Sequence, residues 1–116
     1  MVMRESDLEK TLKKGVEARG GECYKFTSPG RRGVPDRICL FTADFWFMVE
    51  TKSPDGLTKP WQDREIARLR ERGVKVFVLH DLDSLWHLFE WTDIILKERT
   101  MAKPKPKKPM PKPRPC

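Results

Sequence analysis

The sequence has no long apolar segment, few cysteines and only two histidines. No apolar run approaches the roughly 20 residues of a membrane-spanning helix, and the charged amino terminus lacks the apolar stretch of a signal peptide. We therefore expect an intracellular protein. There is no Cys-x-x-Cys pair, and neither His80 nor His87 lies at ligand spacing from a cysteine, so we expect no zinc site. We interpret Cys23 and Cys39 as small core residues.

The composition is that of one folded domain with a basic tail. A chain of 116 residues with 38% apolar content can bury a core of its own. We place the domain at residues 1–100 and a Lys- and Pro-rich tail at 101–116. The tail holds six basic residues and no acidic one, and subtracting them lowers the net charge from +7 to +1 for residues 1–102. Alternating lysine and proline predicts an extended, disordered arm, which either attracts nucleic-acid phosphates or only aids solubility.

Hydrophobic periodicity predicts the element order helix, three strands, helix, strand, helix. The predicted helices cover about residues 4–19, 60–72 and 84–98, and the predicted strands cover 22–28, 36–42, 45–52 and 74–79. A basic, glycine-rich loop follows the first strand. This order predicts an α/β sandwich in which helices flank a central mixed sheet.

The second and third strands form a predicted hairpin that ends in charged residues. Side chains alternate along a strand, so Glu50 and Lys52 point to the same face. If residues 42–44 form a three-residue turn, Asp36 lies opposite Glu50, with Cβ atoms about 5 Å apart. A two-residue turn shifts the register by one unless a bulge restores it. The alternative interpretation is an ordinary Glu–Lys pair on a solvated strand end.

Two carboxylates this close together repel each other, and this repulsion favours a divalent cation between them. The pattern therefore predicts a hard cation such as Mg²⁺ bound by Asp36 and Glu50, with the carbonyl of Thr51 as a further ligand. Lys52 would then hold the nucleophilic water or neutralise charge on the phosphate, which is the chemistry of phosphodiester hydrolysis.

Five segments resemble, in order and spacing, a stand-alone VRR-NUC domain, a branch of the PD-(D/E)xK nuclease superfamily. They are Gly20-Gly21, Lys25, Gly33-Val34-Pro35-Asp36-Arg37, Val49-Glu50-Thr51-Lys52 and Gln62. The resemblance covers about residues 5–80. It implies a restriction-endonuclease-like core and DNA cleavage dependent on Mg²⁺ or Mn²⁺. It further implies that Asp36 and Glu50 are metal ligands and that Lys52 is the catalytic lysine.

The resemblance also implies a metal-linked glutamate on the first helix. Glu5 and Glu9 both flank the apolar face of that helix. Glu9 lies eleven residues before Gly20, a spacing that resembles that of related junction resolvases, although Ser6 and Glu9 also have the form of a capping box. Gln62 matches the family's glutamine and is expected to approach the active face; the alternative is a surface glutamine.

Basic residues near the hairpin and the second helix are candidate DNA contacts that would bind phosphates without reading sequence. They are Lys25, Arg31, Arg32, Arg37, Lys59 and Arg64. Short members of the family resemble Holliday junction resolvases, which act as homodimers. We therefore expect a homodimer that cuts four-way junctions, in the cytoplasm of a bacterial or virus-infected cell. A flap or general nicking endonuclease and a non-catalytic DNA-binding module are the alternatives. The apolar residues of the last helix fit either a dimer surface or a core face.

Overall fold

The computed structural model describes residues 4–52 and 56–102, and for residues 101 and 102 the backbone alone. The elements are α1 (Glu5–Ala18), β1 (Glu22–Lys25), β2 (Arg37–Thr42), β3 (Phe45–Thr51), α2 (Pro60–Glu71), β4 (Val76–Leu79) and α3 (Leu82–Ala102). The predicted order of elements is confirmed. The predicted disordered arm lies outside the described residues. None of the described helices is long and apolar enough to cross a membrane.

The four strands form one mixed sheet in the order β1-β2-β3-β4. The first two pairings are antiparallel, and β3 pairs with β4 in parallel. A parallel pair needs a long crossover connection, and here α2 is part of it. Helices α1 and α3 cover one face of the sheet through an apolar core that includes Leu12, Phe47 and Leu85, while α2 covers the other face through Ile66. The predicted α/β sandwich is confirmed.

The β2–β3 turn is tighter than the three-residue turn that gives the expected pairing. Thr42 pairs with Phe45, so only two residues form the turn. A bulge between Leu40 and Thr42 then shifts the register back, and Arg37 lies opposite Val49. Continued by one residue, this register places Asp36 opposite Glu50. The expected pairing is thus reached through a tight turn and a bulge, because the extra residue of a bulge offsets a one-residue slip.

Several element boundaries differ from the predictions, and three of the differences concern α1, β1 and α3. Helix α1 begins at Glu5 with Arg4 at the N-cap position and no side-chain cap, so the predicted capping box between Ser6 and Glu9 is wrong. Strand β1 ends at Lys25 rather than at residue 28, although the backbone N–H of Phe26 still donates a hydrogen bond to the carbonyl of Asp36, at 2.7 Å. Helix α3 begins earlier than predicted because Asp81 accepts a hydrogen bond from the backbone N–H of Ser84, at 2.8 Å.

The loop between β1 and β2 is fastened to the start of α2 at Gly33. This glycine has a φ of +86°, a conformation that other residues rarely adopt. A Cβ atom there would lie 2.7 Å from the carbonyl oxygen of Trp61. The backbones of the loop and the helix therefore approach so closely that only a glycine fits. This contact lies three residues before Asp36.

Cys23 and Cys39 lie directly opposite each other on β1 and β2, and both are free thiols. Cys39 is fully buried, whereas Cys23 is half-buried and packs against the core from its edge. Their interpretation as core residues therefore fits Cys39 fully and Cys23 in part.

Candidate active site

Charged side chains converge where β3 leaves the sheet, at the end of the β2–β3 hairpin opposite its turn. Glu50 and Thr51 are buried at the end of β3, beside β4. The backbone N–H of Lys52 donates a hydrogen bond to the carbonyl of Leu79, at 2.8 Å, which extends the strand geometry by one residue. The Nζ atom of Lys52 consequently lies 3.2 Å from Oε1 of Glu50. The shared face predicted from strand alternation is present in the structure.

Asp36 lies next to this pair with an unsatisfied oxygen. Its Oδ1 atom is buried and accepts no hydrogen bond from any described residue. Burial, and next the negative charge of Glu9, raise the pKa of the Asp36 carboxyl. Burial, and next the charge of Asp36, raise the pKa of Glu50. The charge of Glu9 thus disfavours the ionised form of Asp36, and the charge of Asp36 disfavours that of Glu50.

Helix α1 brings Glu9 to the same site. Its Oε1 atom accepts a hydrogen bond from Oγ1 of Thr51, and its Oε2 atom accepts one from Nη2 of Arg37, both at 3.0 Å. Glu5, by contrast, is exposed, and its carboxylate has no hydrogen bond or ion pair with the rest of the described chain. Of the two candidate glutamates, the structure brings Glu9 to the strand ends and leaves Glu5 at the surface.

Helix α2 contributes Gln62 from the opposite side. Its Nε2 atom donates a hydrogen bond to Oε1 of Glu50, at 3.2 Å. Its Oε1 atom accepts one from the backbone N–H of Lys59, at 2.9 Å, which stabilises the start of the helix. The glutamine therefore faces the site, and its side-chain orientation is set by the beginning of α2. Glu50 is held between Lys52 and Gln62.

Comparison with known proteins identifies the family and the fold of this chain. The sequence matches no protein-family model. It is 45% identical over 86 residues to "Putative nuclease p44" of Acyrthosiphon pisum secondary endosymbiont phage 1, an alignment that covers 72% of this chain and 92% of that protein. A solved VRR_NUC domain is 31% identical with a TM-score of 0.62, and the match covers 80% of this chain and 94% of that domain. The chain belongs to the VRR-NUC family. Its restriction-endonuclease-like core is the sheet with α1, α2 and α3 described above.

The carboxylates of this VRR-NUC domain suit a hard divalent cation. Mg²⁺ prefers oxygen ligands and is usually bound through one or two carboxylates, with water or substrate oxygens completing its coordination. Asp36 offers a buried oxygen that has no partner in the described parts of the chain, and Glu50 offers a carboxylate with a raised pKa. In the described parts of the chain, no three His, Cys, Asp or Glu side chains are grouped as a set of metal ligands. The donors that fit such an ion are therefore Asp36 and Glu50 with a backbone carbonyl such as that of Thr51.

One predicted DNA contact, Arg37, is largely buried in the VRR-NUC domain. The guanidinium of Arg37 forms an ion pair with Glu9, and the Arg37 side chain is only 16% exposed. Its guanidinium points towards the carboxylates of the site, and little of the side chain is accessible to a phosphate. Arg37 is the first residue of β2, and its side chain reaches Glu9 on α1. Arg37 is better described as a counter-charge that holds Glu9 in place.

The other predicted contacts lie at the surface of the domain. Lys25, Lys59 and Arg64 are exposed. Arg31 and Arg32 are exposed as well, but each guanidinium is held by α2: Arg31 by Glu65, and Arg32 by the ring of Trp61. Two residues that were not predicted from the sequence lie beside Arg31. They are Glu65, which accepts hydrogen bonds from Arg31, and Arg68, which also binds Glu65. Their separation of three residues on a helix predicts a Glu–Arg pair, whereas no local pattern links Glu65 to Arg31.

Proposed function

We propose that this protein is a divalent-metal-dependent endonuclease that hydrolyses DNA phosphodiester bonds at Asp36, Glu50 and Lys52. Its membership of the VRR-NUC family and its 45% identity to a protein named as a nuclease support this proposal. The observation that carries it is the buried oxygen of Asp36, which has no partner among the described residues and lies beside Glu50 and Lys52. A purely structural carboxylate at this depth would have a hydrogen-bond partner.

Each residue of the site has a distinct part in this proposal. Asp36, Glu50 and the Thr51 carbonyl would hold a Mg²⁺ or Mn²⁺ ion. When bound, the ion would polarise the scissile phosphate and stabilise negative charge on the leaving oxygen. Lys52 donates a hydrogen bond to the attacking water or to a phosphate oxygen. Glu9 adds negative charge on the α1 side.

Gln62 positions the Glu50 carboxylate through the hydrogen bond of 3.2 Å. Gln62 accepts a hydrogen bond from the backbone N–H of Lys59 and donates one to Glu50. The position of the Glu50 carboxylate therefore depends on the position of the start of α2. A displacement of a reacting group by about 1 Å can lower an enzymatic rate on the order of 100-fold. The glutamine is therefore a positioning residue in this proposal, without contact to the reacting atoms.

We propose four-way DNA junctions as the substrate and a homodimer as the acting form. A two-fold symmetric pair of sites matches a two-fold symmetric junction. Most apolar residues of α3, such as Leu85 and Leu88, are in the core. Trp86 and Ile94, however, are 51% and 56% exposed. A groove of about 430 Å³ lies between β4 and α3 and is lined by Phe77, Val78, Leu79, Ser84, His87, Leu88 and Trp91. These apolar surfaces support an interface with a second copy.

The test incubates the full chain with a labelled four-way junction, a 5′ flap and a plain duplex, each with Mg²⁺, Mn²⁺ or EDTA. Symmetric paired nicks on the junction alone, abolished by EDTA, are expected. Cleavage that survives EDTA would contradict the assigned metal site. Single cuts on the flap would favour the flap endonuclease, and binding without cleavage would favour a DNA-binding module. Light scattering of the protein with and without junction measures whether the acting form is a dimer.

Replacing Gln62 with alanine is expected to lower the single-turnover cleavage rate between roughly 10-fold and 100-fold. The substitution removes the hydrogen bond to Glu50 and leaves its carboxylate free to turn away from Asp36. Asp63→Ala is the matched control, because Asp63 is the next residue of α2 and is exposed. Equal rates for the Gln62→Ala variant and the unmodified protein would show that Gln62 does not position Glu50.

A further inference from the structure

Three guanidinium groups form a fixed surface beside the site, on the outside of α2 and the loop before β2. We name Arg31, Arg32 and Arg68 the arginine platform. Two of its members share one buried anchor: Glu65 accepts hydrogen bonds from Nε of Arg31, at 2.7 and 2.9 Å, and from Nε and Nη2 of Arg68, at 3.1 and 2.8 Å. The third, Arg32, lies over the ring of Trp61, with its Cζ atom 3.5 Å from the ring centroid.

The anchor is buried while the cations remain accessible. The side chain of Glu65 is 5% exposed, whereas those of Arg31 and Arg68 are 52% and 37% exposed. Hydrogen bonds from Arg68, and next from Arg31, lower the pKa of Glu65 to about 2, so this carboxylate stays ionised at neutral pH. The three arginines of the platform and the ionised Glu65 together carry a net charge of +2.

The bonds to Glu65 leave donors free to bind an anion. Arg31 uses only its Nε atom, so both of its Nη atoms have no partner within the described chain. Nη1 of Arg68 and the stacked guanidinium of Arg32 make no hydrogen bond to any described residue. A guanidinium held by one edge presents its other edge in a fixed orientation, and the planar edge matches two oxygens of a phosphate. Fixing these side chains in advance also reduces the entropy that binding would otherwise cost.

The platform is connected to the site through the start of α2. Trp61, which stacks on Arg32, directly precedes Gln62, which binds Glu50. Gly33 packs against the backbone of these same two helical residues. A backbone bound on the platform would therefore continue from the phosphate at Asp36 and Glu50 along one surface of the domain.

We infer that the arginine platform is a binding site for the DNA sugar–phosphate backbone, that Arg68 is a DNA-binding residue of it, and that Glu65 is its positioning residue. The inference rests on the proposed nuclease function and goes beyond it, because it assigns a backbone contact outside the reacting centre. Sequence is not read there, since phosphate oxygens are alike for every base.

The experiment measures the affinity of the full chain for a fluorescent duplex in EDTA, across a series of salt concentrations, by anisotropy. Each lost phosphate contact lowers the slope of log affinity against log salt by about 0.9. Between ~50 and ~200 mM salt, the ratio of wild-type to Arg68→Ala affinity should therefore shrink by about 3.5-fold. Arg72→Ala is the matched control, because this substitution removes the same charge at the other end of α2. Arg72 lies there near Asp44 and Trp46.

Several outcomes decide the inference. An unchanged slope for Arg68→Ala, or equal slope losses for Arg68→Ala and Arg72→Ala, would overturn it. If thermal unfolding shows that Arg68→Ala is not folded, Arg68→Gln replaces it, because glutamine can still donate to Glu65 while losing the charge. A structural role alone would lower stability without changing the salt slope.

Single-turnover cleavage separates this inference from the proposed function. Arg68→Ala is expected to raise the half-saturating protein concentration for cleavage, whereas the control Arg72→Ala is expected to leave it unchanged. Normal cleavage and an unchanged salt slope would reject the platform and leave the nuclease proposal standing. An unmodified protein that neither binds nor cuts DNA would reject both.

Discussion

Lys52→Ala is expected to lower the rate of DNA cleavage by roughly 100-fold or more while the fold persists. The Nζ atom lies 3.2 Å from Oε1 of Glu50 and is the cation that Glu50 faces at the end of β3. With the lysine removed, the reacting phosphate and water would lose a charged donor, and Glu50 would lose the positive charge beside it. The measurement is single-turnover cleavage at saturating protein and saturating Mg²⁺.

The control for this prediction is Lys75→Ala. Lys75 is an exposed lysine just before β4, and its change removes the same charge without reaching the site. Thermal unfolding of both variants checks that the fold is retained. A Lys52→Ala variant that cuts within a factor of a few of the unmodified rate would remove the lysine from the mechanism, whatever its position.

Asp36→Asn is expected to abolish cleavage and to make the metal-free protein more stable. The buried Oδ1 atom of Asp36 has no partner among the described residues, and the neighbouring charge of Glu9 raises the Asp36 pKa. An amide removes the repulsion at nearly the same volume. A gain of about 1 kcal/mol is expected, which corresponds to a rise in Tm of roughly 4 °C or more for a domain of this size. Stability and metal binding therefore oppose each other at this position.

The pH dependence of stability offers a second readout of the same prediction. Asp36 and Glu50 have raised pKa values in the folded state. Their contribution is therefore fully present below the pKa of an unfolded carboxyl, about 4, and is lost as the pH rises through the raised values. The Tm of the metal-free protein should fall over this range less steeply in Asp36→Asn. Added Mg²⁺ should raise the Tm of the unmodified protein alone. A lower Tm for Asp36→Asn at neutral pH would contradict the argument.

The sequence determined the parts of this protein that depend on local periodicity. Alternation along β3 predicted that Glu50 and Lys52 share a face, and this is found. Hydrophobic spacing predicted the element order and the sandwich. The family resemblance, beyond periodicity, supplied the idea that α1 and α2 each send a side chain to the site, and Glu9 and Gln62 do lie there.

The tertiary structure decided the contacts between residues that are distant along the chain. The hairpin reaches its register through a bulge, because core packing on both sheet faces outweighs the slip of a two-residue turn. Arg37 pairs with Glu9 across 28 residues, and Arg31 with Glu65 across 34. No local pattern encodes such pairs, since each forms only when a helix packs beside a strand or loop. Which arginines pair with the carboxylates of the site and which remain exposed at the surface is therefore a property of the folded domain.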